Sequence, residues 1–233
     1  MVFRGEIHCH SVVSDGSLEP RLVVELAVRR GARVVSVTDH DTFRGSLMAL
    51  RGAALLGLRD VVVLCGNEVR TVWGDVLVLC SSCPGVGEAP RDPFELREFS
   101  DSHGCLMVAA HPYHLGRKSV GSKIRSHAQL FDAVEVWNSR GFPLLNVPAI
   151  LDARSLGMPA TSGSDAHVPS EIAVSPIVFL EEPYSSDQAL ELVRRGLVAP
   201  TIALPPPKSF IESLSWAIIR RTARESSGKQ GAL

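Results

Sequence analysis

Short clusters of histidine and carboxylate residues stand at the ends of five apolar segments of this chain. Apolar, β-branched segments that alternate with helical patterns predict parallel strands buried on both faces. In a barrel of such strands all carboxyl ends lie on one face, where the loops carry the chemistry. The sequence therefore predicts a barrel whose mouth collects eight side chains: His8, His10, Asp15, His40, Glu68, His111, Asp165 and His167.

The predicted strands and helices alternate from one end of the chain to the other. We expect strands at residues 4–9, 33–38, 61–69, 76–80, 106–110, 133–137, 158–162 and 173–180. A first helix is predicted from a cap at Ser17 to a stop at Gly31, with Pro20 in its first turn. Further helices are expected at residues 45–56, 92–102, 142–156, 186–195 and 210–221. So many strand–helix units favour a closed barrel with a parallel sheet over an open sheet.

Length and composition favour one large α/β domain. The chain has 233 residues, of which 45% are hydrophobic, so it can bury a single sizeable core. We assign residues 1–204 to the barrel and residues 205–233 to a C-terminal helix and a flexible tail. The apolar residues of that helix could pack on the barrel or on a partner, and we expect packing on the barrel.

Charge and targeting signals exclude some classes of protein. The formal net charge is −1, so no global basic field favours nonspecific binding of nucleic acid. The amino terminus lacks the apolar core of a signal peptide, and no apolar run approaches the ~18–20 residues that span a bilayer. We therefore expect a soluble, cytoplasmic protein without a membrane partner. The oligomeric state stays open.

The cysteines do not resemble the disulfide framework of a secreted domain. There are five, an odd number scattered along the chain, and Cys80 and Cys83 form a lone CxxC pair. We interpret them as small apolar residues near a strand end. A redox or thermophilic disulfide is the alternative.

The spacing within the clusters is typical of metal ligands. Residues two apart on a strand point to the same side, so His8 and His10 can reach one ion. Asp165 and His167 have the same spacing, and Gly163 before them allows a close approach of the backbone. A carboxylate at Glu68 could bridge two cations. Mixed imidazole and carboxylate ligands suit Zn²⁺, Mn²⁺ or Fe²⁺.

Three neighbours of the clusters have other predicted roles. Asp39 could accept a hydrogen bond from an imidazole ligand and so orient it. Asp41 is expected to cap the following helix. His111 is favoured as a ligand over His114, which could contact substrate or be a plain loop residue.

Taken together, these segments resemble the PHP family, the polymerase-and-histidinol-phosphatase metal-dependent hydrolases. The resemblance extends from Glu6 to His167 in the family order and rests on HCHSVVSDGS, VTDHDT, GNE, HP and GSDAH. It implies a distorted TIM-like (β/α)7 barrel with two or three divalent ions, Mn²⁺, Zn²⁺ or Fe²⁺, at the carboxyl ends of the strands.

The resemblance also implies how the ligands divide among the ions. His8, His10, Glu68 and Asp165 would hold one ion, Glu68 and His111 a second, and Asp15, His40 and His167 a third. A histidine is common in the family at the position of Asp75, where a carboxylate can still bind a cation. We therefore expect Asp75 as a ninth ligand. Glu135 is expected to hydrogen-bond a ligand rather than to bind an ion.

The predicted function is that of a metal-dependent phosphoesterase. Bound cations lower the pKa of a water molecule and hold the phosphoryl group for in-line attack. The expected substrate is a small, anionic phosphomonoester or nucleotide. Substrate contacts are predicted at Arg117, Lys118, His114 and Asn138. The loop that carries Arg117 and Lys118 could fold over the mouth or remain solvated.

Two other functions remain as alternatives. A 5'-3' exonuclease or oligonucleotide phosphodiesterase would need a surface on which bases stack, and Trp73, Tyr113 and Trp137 could line one. A non-catalytic subunit like the barrel protein of ribonuclease P is disfavoured, because the ligands are retained and the charge is nearly neutral. Nucleic acid is thus a possible but not a favoured partner.

Overall fold

The computed structural model describes residues 2–85, 87–115 and 119–230, with side chains up to residue 223. Within these residues the strands form one sheet, in the order β7-β6-β5-β4-β3-β2-β1-β8-β9. The strands are β1 Phe3–Glu6, β2 Ala32–Val37, β3 Val62–Arg70, β4 Asp75–Cys80, β5 Leu106–Ala109, β6 Ala133–Asn138, β7 Ala160–Gly163, β8 Ile177–Phe179 and β9 Val198–Ala199. The helices are α1 Pro20–Arg29, α2 Arg44–Leu55, α3 Pro93–Ser102, α4 Lys123–Ser126, α5 Val147–Leu156, α6 Ser186–Arg194 and α7 Pro207–Gln230.

The sheet closes almost completely into a barrel, as predicted. Beyond β1, the segment of residues 8–10 continues beside the segment that follows β7. His10 N donates to Ala166 O over 2.8 Å, and Asp165 N donates to His8 O over 2.8 Å. Lower in the barrel, Thr201 N donates to Ser162 Oγ over 2.9 Å. The first two bonds bring together the metal-ligand motifs that follow β1 and β7.

The prediction of an entirely parallel sheet is wrong. β1, β2 and β3 are parallel, as are β5, β6 and β7, but β4 is antiparallel to both of its neighbours. Residues 71–74 join β3 to β4, and so short a connection can only form a hairpin. β8 is also antiparallel, to β1 and to β9.

The helices largely follow the expected ranges, with differences at their starts. α1 has Glu19 rather than Ser17 as its N-cap residue. Asp92 caps α3 as the sequence suggests, since its side chain accepts from Phe94 N and Glu95 N. The predicted helix at 142–156 divides into a 3₁₀ turn, Pro143–Asn146, and α5. α6 packs its apolar face on residues inside the barrel, at the end opposite the carboxyl ends of the strands.

The cysteines form two disulfides, which corrects their interpretation as plain apolar residues. Cys65 on β3 bonds to Cys83, and Cys80 on β4 bonds to Cys105 just before β5. The two halves of the CxxC pair therefore bond to different partners. Cys9 is a buried free thiol.

The C-terminal helix is longer than predicted, and it packs differently. Residues 224–230, expected to be frayed, continue α7, while 231–233 lie outside the described residues. Phe210 and Leu214 are 74% and 55% exposed, so the predicted packing of these apolar residues on the barrel is wrong. The side of α7 that contacts the barrel is polar. The domain division at residue 204 stays a prediction. No helix among the described residues is long and apolar enough to cross a bilayer.

Candidate metal centre

The nine predicted ligands lie together at the carboxyl ends of the strands. A cavity of about 280 Å³ opens there. Most of the ligands line it, while His8 and His10 lie beneath, at 0% and 1% exposure. The lining consists of Asp15, His40, Glu68, Arg70, Asp75, His111, Arg140, Asp165 and His167. The barrel thus gathers side chains that are far apart in the chain.

Three groups of ligand atoms are close enough to hold one ion each. The first contains His8, His10 and Asp165, and the second contains His8, Glu68 and His111. The third contains His10, Asp15, His40 and His167. Glu68 lies between the groups: Oε1 is 2.9 Å from His111 Nε2, and Oε2 is 3.1 Å from His10 Nε2. This is the placement expected of a bridging carboxylate.

The spacing of these atoms fits a divalent ion. Two ligands at ~2.1 Å from a tetrahedral ion are separated by roughly 3.4 Å. His8 Nε2 lies 3.4 Å from Glu68 Oε1, and His10 Nε2 lies 3.3 Å from Asp165 Oδ1. Moreover, His8 Nε2, His10 Nε2 and Glu68 Oε2 are buried, and none of them has a well-aligned hydrogen-bond partner. Buried polar atoms need a partner, and a cation would serve all of these at once.

Asp75 is close to the second group. Its Oδ2 atom lies 4.0 Å from His111 Nε2, and its side chain lines the cavity at the start of β4. Because β4 runs antiparallel to its neighbours, its amino end rather than its carboxyl end reaches the mouth. Asp75 is therefore placed where a ninth ligand would be, at the edge of ligand distance.

Glu135 and Asn138 of β6 lie behind the ligands. His8 Nδ1 is 2.7 Å from Glu135 Oε1, and Glu135 Oε2 accepts from His111 N over 2.8 Å. Asn138 is fully buried, and its amide donates to Glu135 and Asp165. Asn138 therefore faces the ligands from the protein side and is not part of the cavity lining, and its predicted contact with substrate stays a prediction.

Asp39 also has a different role from the predicted one. Its carboxylate accepts from Ser11 N over 2.8 Å and from the hydroxyl groups of Ser11 and Ser14 over 2.5 and 2.6 Å. It therefore holds the loop that carries Asp15 and does not orient an imidazole. A side chain at Gly16 would place its Cβ 2.2 Å from His10 O, which explains the glycine in this loop.

Two of the ligand positions have left-handed backbone conformations. The φ angles of His111 and Asp165 are 27° and 50°, which side-chain-bearing residues rarely adopt. Each residue lies two positions beyond the end of a strand, β5 for His111 and β7 for Asp165. Such conformations cost ~1–3 kcal/mol and persist where the surroundings enforce them, as at binding sites.

The charges of the cluster strongly perturb its titration. Burial favours the neutral ring of His10, but hydrogen bonds to Asp165 and Glu68 outweigh this effect and raise its pKa to about 9. Burial likewise opposes ionisation of Glu68, yet the charge of His8 and hydrogen bonds to His10 and His111 hold the pKa of Glu68 well below its usual value. Burial and the charge of His10 instead lower the pKa of His40 and of His167, so the histidines of the site do not titrate alike.

Two arginines that the sequence analysis did not single out also line the cavity. Arg140 lies 3.7 Å from Glu171 Oε2, and Arg70 is held by Asp41, which accepts from Arg70 Nε over 2.6 Å. Asp41 therefore anchors this arginine and does not cap α2, whose N-cap residue is Phe43. The position of Arg70, two residues after Glu68 on β3, was a signal that sequence reasoning could have used, since alternate residues share a face.

His114, another predicted substrate contact, lies beside the cavity rather than in its lining. His114 is 5% exposed, and its Nε2 lies 3.3 Å from Asn146 Oδ1, so its ring packs below the mouth. It does not belong to the described lining, which corrects its prediction as a substrate contact. Arg117 and Lys118 lie outside the described residues.

A nearly closed barrel that gathers histidine and carboxylate ligands at its mouth is the arrangement of a metal-dependent hydrolase. The PHP-associated family profile matches residues 145–197. An uncharacterized protein of Methanocaldococcus jannaschii is 29% identical over 149 residues, which are 58% of this chain and 82% of that protein. A 3',5'-nucleoside bisphosphate phosphatase of Chromobacterium violaceum is 35% identical over 88 residues, 38% of this chain and 29% of the phosphatase.

Among solved structures, a two-domain protein of Bacteroides vulgatus has a similar fold. It contains a predicted PHP-like metal-dependent phosphoesterase and superposes with a TM-score of 0.71 at 17% identity, over 87% of this chain and 65% of that one. These similarities support the predicted resemblance to the PHP family of metal-dependent phosphoesterases, and the predicted barrel fold is confirmed.

Proposed function

We propose that this protein hydrolyses small phosphomonoesters, such as a nucleotide or a sugar phosphate, at a centre of two or three divalent ions. The observation that carries the proposal is the meeting of three ligand groups and two arginines at one cavity of about 280 Å³. Such a cavity accepts a phosphoryl group and part of a small leaving group. The similarity to PHP-like metal-dependent phosphoesterases also supports the hydrolysis of a phosphate ester.

The ligands have distinct tasks in this proposal. His8, His10, Glu68 and Asp165 would hold the first ion, His111 with Glu68 the second, and Asp15, His40 and His167 the third. Bound ions supply Lewis-acid charge and lower the pKa of a coordinated water molecule. Asp75 is proposed as a further ligand beside His111.

The arginines would bind the substrate. Arg140 and Arg70 approach the cavity from the β6 and β3 sides, and their carboxylate partners restrict their motion. Guanidinium groups suit phosphoryl oxygens because they donate two parallel hydrogen bonds. We propose that they orient the phosphate, with Arg117 and Lys118 as additional contacts from the loop between them in sequence.

The structure gives little support to a nuclease. Lys123 Nζ lies 4.8 Å from the centre of the Trp73 ring, and the His127 ring lies 4.6 Å away, so both cover this indole. Tyr113 donates its hydroxyl to Asp152, and Trp137 is 8% exposed. Hence neither Trp73 nor Trp137 offers a free face for a base, whereas Tyr113 is only half-buried. A non-catalytic RNA-binding role is disfavoured by the gathered ligands.

The test is phosphate release by the Mn²⁺-loaded protein from a panel of phosphomonoesters and nucleotides. We expect release by the wild type and by Asp187→Asn, a matched change on α6, and loss in Asp165→Asn. Arg140→Gln should raise KM more than it lowers kcat if Arg140 binds substrate. Cleavage of end-labelled oligonucleotides without release from any monoester would instead establish the nuclease.

A further inference from the structure

The polar side of α7 is bonded to segments that carry metal ligands. The residues on this side recur at helical spacing and consist of Ser209, Glu212, Ser213, Trp216 and Arg220. The apolar residues of the helix point away from the barrel, with Ile211 and Ile218 67% and 57% exposed. The helix is therefore attached by directed hydrogen bonds and ion pairs and not by an apolar seam.

One set of these contacts holds Asp15. Trp216 Nε1 and Arg220 Nη1 both donate to the main-chain oxygen of Asp15, over 2.8 and 3.2 Å. Arg220 Nη1 also lies 3.3 Å from Asp15 Oδ2. The other carboxylate oxygen, Oδ1, is thereby left to face His167 Nε2 at 3.1 Å and His40 Nε2 at 3.7 Å. Helix α7 thus selects which oxygen of Asp15 meets the third ligand group.

A second set of contacts holds the segment of His167. Glu171 Oε2 accepts from His167 N over 2.8 Å, and Glu171 Oε1 accepts from Ser213 Oγ over 2.8 Å. One residue earlier on the helix, Glu212 Oε2 accepts from Ser170 N over 3.0 Å. The helix therefore reaches both Asp15 and His167, which belong to the same ligand group.

The third ligand group depends on such support more than the others do. His8 and His10 directly extend β1, and Glu68 is part of β3, so sheet hydrogen bonds fix their positions. Asp15 lies in an irregular loop and is 22% exposed at its side chain. Ordering a loop ligand costs conformational entropy at each ion-binding event unless other contacts have already ordered it.

We propose that α7 is a positioning element for the third ion, with Trp216 and Ser213 as the residues through which it acts. The proposal rests on the proposed function, because it presumes an ion at Asp15, His40 and His167. The contacts of α7 order these ligands before an ion binds, so the occupancy of the third position depends on the docking of α7. The first two positions are insensitive to the helix.

The experiment is equilibrium dialysis against Mn²⁺ with metal quantification, which counts the ions and gives each affinity without reference to activity. Trp216→Phe keeps an aromatic side chain and removes the pyrrole part of the indole with its N–H donor to Asp15. We expect its third Mn²⁺ to bind at least about 10-fold more weakly, with the first two unchanged, since losing an orienting partner typically costs 10–100-fold. Ser213→Ala should show the same selective loss, and Ser213→Thr should restore it.

The matched control is Ser215→Ala, which removes an exposed hydroxyl from the same helix. It should leave all three affinities at wild-type values. The proposal is overturned if Trp216→Phe and Ser213→Ala bind three ions like the wild type, if they weaken all ions equally, or if the wild type binds only two. Dialysis also separates it from the proposed function. If the wild type binds three ions and the variants weaken only the third, but no phosphate is released, only the proposed function is contradicted. If the wild type releases phosphate and the variants bind all three ions with wild-type affinity, only the inference is contradicted.

Discussion

The imidazole Nδ1 of His8 lies 2.7 Å from the carboxylate Oε1 of Glu135, and this contact turns His8 Nε2 toward Glu68 and Asp165. Both residues are fully buried, so the pair is not weakened by water. A carboxylate that accepts from one ring nitrogen fixes the tautomer and makes the other nitrogen a better ligand. Glu135 also accepts from the main chain of His111, so it aligns ligands of two groups.

Glu135→Gln should therefore weaken metal binding, although the new side chain has nearly the same size and shape. An amide can turn its NH₂ toward His8 Nδ1, which favours the wrong tautomer. We expect the affinity for the first ion, which His8 would hold, to fall by about 10–100-fold, measured by dialysis against Mn²⁺. Glu182→Gln removes a surface partner of Arg33 and serves as the control. Equal affinities for wild type and Glu135→Gln would show that Glu135 does not orient the ligand.

Gly163 allows the same pair to approach the strand end. A Cβ at this position would lie 2.2 Å from Glu135 Oε1 and 2.6 Å from His8 Cβ. Gly163→Ala should displace both residues, lowering metal affinity and destabilising the fold by roughly 1–3 kcal/mol. Urea unfolding and Mn²⁺ titration check the two effects. Gly87→Ala meets no atom within 4 Å and should change neither. A stable Gly163→Ala protein with full metal affinity contradicts this account.

The sequence predicts the gathered ligands well for a local reason. His8 and His10, like Asp165 and His167, combine a strand-end position with a spacing of two, and both signals are visible in a single chain segment. The left-handed conformation of Asp165 and the contact of Glu135 with His8 depend on chain segments far away in sequence. Even so, a polar residue inside an apolar strand such as β6 indicated that Glu135 had a buried partner.

The parts that sequence reasoning missed depend on non-local pairing. The short connection between the strands predicted at residues 61–69 and 76–80 indicated that β4 would reverse and bring Asp75 to the mouth, but the sequence reasoning did not use this signal. The arginines Arg70 and Arg140 carry no motif of their own. Apolar periodicity predicted that Phe210, Leu214, Trp216 and Ile219 of α7 pack on the barrel. Only Trp216 among them does so, together with polar neighbours, while the other three are exposed.

Metal affinity should depend steeply on pH. Despite burial, Asp165 and Glu68 raise the pKa of His10 to about 9, so its ring is protonated at neutral pH without an ion. That proton must leave before an ion binds, so affinity should increase from about pH 6 to about pH 9 and level off above. In the metal-free protein, the stabilisation from this proton is present below the unfolded pKa of ~6.5 and is lost as the pH rises through about 9.

Calorimetry in buffers of different ionisation enthalpy measures these protons directly. We expect net proton release on Mn²⁺ binding at pH 7, with less release at pH 9. Asp60→Asn, a change far from the site at the amino end of β3, should leave the proton count unchanged. Binding that releases no proton at pH 7 would show that His10 is already neutral before the ion arrives.

The two disulfides should stabilise the side of the barrel that carries Asp75. Cys65–Cys83 and Cys80–Cys105 close loops of 18 and 25 residues, each worth ~3 kcal/mol by the entropy of the unfolded chain. A reductant should therefore lower the midpoint of guanidinium unfolding, and Cys83→Ser should give about half of that loss. In a Cys83→Ser/Cys105→Ser variant, added reductant should have no further effect. A wild type indifferent to reductant under unfolding conditions would contradict the bonds.

Asp75→Asn tests whether the ninth ligand is real. Asp75 Oδ2 lies 4.0 Å from His111 Nε2, slightly beyond the spacing of the other ligand pairs, and its carboxylate lines the cavity. If the side chain binds the ion shared by His111 and Glu68, the neutral amide should lower the affinity for that ion by about 10-fold or more. The affinities for the other ions should not change. Asp75→His should retain three ions, because an imidazole at this position is what the family commonly has. Asp101→Asn, exposed on α3, is the control for loss of one negative charge. Equal Mn²⁺ binding by Asp75→Asn and Asp101→Asn would show that Asp75 shapes the cavity without binding an ion.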